Sequence, residues 1–67
     1  MNDMRQNIYD SLNRLIGYTE KIGHETQIFD NLGRYLGKHN NISNEVFDEL
    51  GHYIGKGIEN LGILIKK

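Results

Sequence analysis

The sequence predicts an all-α protein: a three-helix chain with a long C-terminal helix, built from an internal helical repeat and assembling as a homo-oligomer. Three observations predict it. The first is the repeat. Ile8-Tyr-Asp-Ser-Leu-Asn-Arg-Leu-Ile-Gly-Tyr18, Ile28-Phe-Asp-Asn-Leu-Gly-Arg-Tyr-Leu-Gly-Lys38 and Val46-Phe-Asp-Glu-Leu-Gly-His-Tyr-Ile-Gly-Lys56 align without gaps. A weaker fourth echo runs from Gly57 to Lys67. The second is periodicity. Apolar residues occupy repeat positions 1, 2, 5, 8 and 9, the i, i+1, i+4, i+7, i+8 face of an amphipathic helix. The third is charge. Asp at position 3 precedes Arg or His at position 7, as in Asp10–Arg14, Asp30–Arg34 and Asp48–His52, an acid-first i,i+4 pairing that suits a helix.

Helix one is expected over about 3–22, with Met4, Ile8, Leu12, Leu15, Ile16 and Ile22 facing inward. Gly23-His24-Glu25 ends it, because Gly accepts the left-handed C-terminal cap. Thr26 caps helix two, about 27–38. Lys38-His39-Asn40-Asn41 is a polar turn, and Asn41 or Ser43 caps helix three. With Glu45 in its first turn, helix three is expected over about 43–65. All 67 residues form one domain.

Composition bounds the rest. A chain of 67 residues has a small core and needs an extra source of stability. With no Cys, disulfides and thiolate metal sites are excluded, leaving oligomerisation or very good packing. A net charge of −1 lacks the basic field of a nucleic-acid binder. A mean hydropathy of −0.59 with no long apolar run argues against a membrane span. The N-terminal residues lack a signal-peptide pattern, so a cytoplasmic location is expected. Nine Ile, eight Asn and no Ala point to an AT-rich genome, such as that of a low-GC bacterium or its phage.

Eight Gly and no Ala are costly in helices, at about 0.5–1 kcal/mol for each interior Gly. Gly33 and Gly37 on helix two, and Gly51, Gly55 and Gly62 on helix three, line one edge of the apolar stripe beside Phe29 and Phe47. They are the expected helix–helix interface, with subunits packed along the glycine seam.

No constellation points to catalysis. The histidines His24, His39 and His52 are not spaced as metal ligands, and neither Ser11 nor Ser43 has an adjacent His. The chain is expected to be no enzyme and to hold no metal or cofactor. Tyr-aliphatic-Gly-Lys occurs twice, at Tyr35–Lys38 and Tyr53–Lys56. With Arg34, these Tyr and Lys residues form a candidate site for a planar anion such as a nucleotide, because Tyr stacks and the cations meet phosphate. The expected function is a small non-enzymatic binding or regulatory protein acting through protein–protein contacts, with a phage or mobile-element inhibitor as the nearest class. The alternatives are a helical oligomer that sequesters an anionic nucleotide-like ligand between subunits, and a DNA-binding accessory protein. The acidic outer face of the expected third helix disfavours DNA, and membrane binding is not expected.

Overall fold

The computed structural model describes residues 5–65, and there the repeats are β-hairpins, not helices. The strands are β1 (Arg5–Tyr9), β2 (Leu15–Ile22), β3 (Glu25–Asp30), β4 (Tyr35–Asn40), β5 (Glu45–Asp48) and β6 (Tyr53–Lys56). A 3₁₀ turn at Ile58–Asn60 leads into a single helical turn, α1 (Leu61–Ile65). The strands pair antiparallel in sequence order, a simple meander. The all-α expectation and its helical bundle are therefore overturned. The first two expected helices are hairpin strands, and of the span 43–65 only Ile58–Ile65 is helical. Residue 3 and Met4 of the expected first helix, and Lys66 and Lys67 of the fourth echo, lie outside the described residues.

The repeat makes a hairpin because its Asp organises the turn. Asp30 Oδ1 accepts the backbone N–H groups of Leu32 and Arg34, both at 2.9 Å. The Asp30 carbonyl accepts from Gly33 N–H at 3.0 Å, and Asp30 N–H donates to the Arg34 carbonyl at 3.0 Å. This is a type I turn followed by a left-handed residue, a three-residue hairpin loop stabilised by an Asx turn. Asp10 and Asp48 make the same bonds in their copies. The left-handed position is repeat position 6, where φ is +84° at Gly33, +85° at Gly51 and +65° at Asn13. Only Gly and Asn take that conformation at low cost. The i,i+4 Asp–Arg pairs, read as helical, span these turns instead: Arg14 Nε lies 2.9 Å and Arg34 Nε 2.7 Å from the carboxylates of Asp10 and Asp30.

The helical period was a coincidence of hairpin geometry. Positions 1 and 2 end one strand, positions 3–7 are the turn, and positions 8 and 9 start the next strand. Each copy carries one β-bulge. Ile8, Ile28 and Val46 pair with Gly17, Gly37 and Gly55, while Tyr9, Phe29 and Phe47 pair with Leu15, Tyr35 and Tyr53. The residue skipped between them is position 9: Ile16, Leu36 and Ile54.

The core sits on one face, under α1. Ile28, Val46, Leu61 and Leu64 are buried, with Ile8, Leu36, Ile54 and Ile65 packed around them. On this face the position-10 glycines allow close approach. A Cβ on Gly17 would fall against the Phe29 carbonyl oxygen and Ile65 Cδ1. One on Gly37 would fall against the Phe47 carbonyl oxygen and 2.6 Å from Leu64 Cδ1. At Gly55 no further hairpin follows, and the Asn60 side chain takes that place, 3.2 Å from where a Cβ would be. Asn60 Nδ2 also donates to the Lys56 carbonyl at 2.6 Å and the Gly57 carbonyl at 3.0 Å, tying down the end of the edge strand β6. His39, expected in a turn, is buried on this face. Its Nδ1 lies 2.7 Å from Asn41 Oδ1 and its Nε2 2.8 Å from Asn44 Oδ1, so it anchors the β4–β5 loop.

Candidate protein-binding face

Strand alternation sends every second residue to the face opposite α1. The register places Tyr9 and Leu15 there, then Tyr18, Phe29 and Tyr35, then Phe47 and Tyr53. These side chains form a band that crosses all six strands. Tyr18 and Phe29 stack with ring centroids 5.0 Å apart and planes 16° apart. Phe29 meets Tyr35 at 5.9 Å, and Phe47 meets Tyr53 edge-on at 6.0 Å. Such cross-strand aromatic pairs hold the sheet together. Among the described residues no element covers this band. Tyr9, Leu15, Tyr35 and Tyr53 are exposed, Tyr53 to 56%.

Charged residues border the aromatics and largely pair with one another. Arg5 lies 3.5 Å from Glu20 and 4.0 Å above the Tyr18 ring. Lys38 Nζ donates to Glu25 Oε2 at 2.8 Å. Glu45 and Lys56 are register partners on β5 and β6. The Lys38 hydrogen bond, aided by one from Gln27, holds the Glu25 carboxyl below its usual range. The same bond to Glu25 raises Lys38. Burial pushes the Tyr35 hydroxyl up, partly opposed by the nearby Lys38 charge.

The structure brings six of the sequence-selected residues together on this face: Phe29, Phe47, Tyr35, Tyr53, Lys38 and Lys56. Arg34 is elsewhere. It pairs with Asp30 and lines a cleft of about 400 Å³ beside Leu64 and Ile65, on the α1 side. Of the glycines assigned to a helix interface, Gly33 and Gly51 are turn residues, Gly51 in open space and Gly33 with the Tyr18 hydroxyl 3.7 Å from where a Cβ would be, while Gly37 and Gly55 lie in strands under α1 and Asn60. Gly62 is in α1 with nothing within 4 Å of its Cβ position. No helix–helix seam exists among the described residues. Sequence reasoning missed Tyr9, Leu15, Tyr18, Arg5, Glu20, Glu25 and Gln27. The signal that would have found them is the two-residue alternation of Glu25-Thr26-Gln27-Ile28-Phe29, with Glu25, Gln27 and Phe29 on one face.

Among the described residues no group of three His, Cys, Asp or Glu side chains is placed to hold a metal. No described helix is long and apolar enough to cross a membrane. Comparison with protein-family models, curated proteins and solved structures finds no match.

Proposed function

We propose that this protein is a non-catalytic protein-binding module whose working surface is the open aromatic face of its sheet. The observation that carries the reading is the uncovered band of Tyr, Phe and Leu across six strands, opposite the face that α1 protects. Tyr and Phe are enriched in the centres of protein interfaces. Rings already packed in pairs lose little conformational freedom on docking. The charges on the face cancel, three basic (Arg5, Lys38, Lys56) against three acidic (Glu20, Glu25, Glu45). A protein surface fits that balance better than a nucleic-acid backbone does.

The anionic-ligand alternative has less support, since Lys38 is held by Glu25 and Arg34 lies on the other face with Asp30.

The test is a photo-crosslinking residue, benzoylphenylalanine, placed at Tyr53 on the face and, separately, at Leu50 on a hairpin tip. Irradiation in expressing cells should give protein adducts from position 53 and not from position 50. Adducts from the tip alone would overturn the reading.

A further inference from the structure

The geometry points to a definite occupant for this face: a second copy of the same chain, packed face to face so that two sheets form a sandwich with α1 outermost on each side. The inference rests on the face being a protein-binding surface and adds its partner. Three features carry it.

The first is the size of the core. Only four apolar residues are buried among the described residues, and of the large apolar side chains that stay exposed, Tyr9, Leu15, Ile22, Tyr35 and Tyr53 lie on this one face. An antiparallel sheet is commonly solvated on one face, but that face then reads as polar. Here it carries the aromatic band. A second copy would supply the missing layer, as the two sheets of a sandwich do at about 10 Å separation.

The second is area. Six strands at about 4.8 Å spacing and about five residues of about 3.4 Å each give a face of roughly 29 by 17 Å, or roughly 500 Å². Two copies would bury roughly 1,000 Å², the lower limit for a specific interface.

The third is charge. The face's basic and acidic residues balance within one copy, and Arg5–Glu20 and Lys38–Glu25 are already paired. Bringing two identical faces together therefore sets no net charge against a like charge. A two-fold arrangement also uses one patch twice, which a self-neutral patch permits.

Sedimentation equilibrium of the purified full chain tests this. The wild type should show twice the 7.8 kDa chain mass at high micromolar concentration. Tyr35→Glu with Tyr53→Glu should weaken association by about tenfold or more. Leu32→Glu with Leu50→Glu, at two hairpin tips, should leave the dimer intact. Should the face double variant fail to fold by circular dichroism, Tyr53→Ser, at a more exposed site, should still weaken association several-fold. A wild type that stays monomeric, an unaltered Tyr53→Ser dimer, or dissociation by the tip variant alone overturns the self-pairing. A monomeric wild type whose position-53 crosslinker captures a different protein overturns the self-pairing while the face reading stands. Failure of position 53 to form any adduct removes both.

Discussion

Leu50-Gly51 and Leu61-Gly62 are one dipeptide at one repeat position, in two unlike structures. In the third copy Asp48-Glu49-Leu50-Gly51 closes a hairpin, with Leu50 74% exposed and Gly51 at φ +85°. In the fourth echo Glu59-Asn60-Leu61-Gly62 enters a helix, with Leu61 only 5% exposed in the core. The difference begins at position 3. Asp48 Oδ1 accepts the Leu50 N–H at 2.9 Å and the His52 N–H at 2.8 Å. Glu59 occupies that position in the echo, and its carboxylate is one methylene further from the backbone, too far to make the same short loop. Position 1 changes as well, from Val46 to Gly57, so the echo lacks the aliphatic side chain that position 1 supplies to the core in the hairpin copies. The echo instead presents Leu61 and Leu64, three apart on a helical turn, to the sheet. One changed turn residue and one lost strand residue thus accompany the conversion of a repeat into the cover of the repeats before it.

The sharpest way to break this comparison is to remove the two leucines in turn. Leu61→Ala should cost about 2–5 kcal/mol, through lost burial and a cavity under α1. Leu50→Ala should stay within about 0.5 kcal/mol of wild type in the isolated chain. Urea unfolding measures both, and equal losses would mean that the tip leucine is packed.

The next largest effect separates the two kinds of glycine. Gly37→Ala should destabilise by about 1–3 kcal/mol or more, because the new methyl meets the Phe47 carbonyl and Leu64. Gly51 has open space around it. Gly51→Asn should cost much less than Gly51→Leu, because Asn13 already holds the same turn position at φ +65°. Thermal melts that rank Asn level with Leu would refute the left-handed turn assignment.

Asp48→Glu brings the third hairpin closer to the fourth echo. It should lose the charge-assisted turn bonds, at about 1.5–3 kcal/mol. Slow amide exchange at Leu50 and His52 should vanish, while exchange in the β1–β2 turn stays unchanged.

The smallest effect expected is the acid response. The Asp10 and Asp30 carboxyls are held below their ordinary range, chiefly by the backbone N–H of Arg14 and Arg34. Groups depressed on folding stabilise the native state above the unfolded value, about 3.9 for Asp, and lose that contribution as pH falls through the lower folded value. Melting temperature should therefore decline below about pH 4. In a chain carrying Asp10→Asn and Asp30→Asn the decline should be shallower.

The local chemistry was legible from residue types alone. The repeat and its limits, the recurrence of Asp at position 3 and of Gly or Asn at position 6, and the selection of Phe29, Tyr35, Phe47 and Tyr53 can all be read from three aligned segments, but the turn roles of that Asp and Gly read there as helical ones. Eight Gly without Ala also signalled a strain on any helical reading. What the segments did not reveal was the hairpin: apolar residues at 1, 2, 8 and 9 fit both structures, and the leucine at position 5, exposed at each hairpin tip, turned the reading to a helix. A helix closes its bonds within four residues, whereas a strand bonds to partners set by the path of the whole chain. Pairing Gly17 with Asp30 and Gly37 with Asp48 places the glycines of the first two repeats against the next repeat's backbone, a contact no single copy contains. That long-range pairing decided which leucines are buried, which face carries α1 and which face is left open.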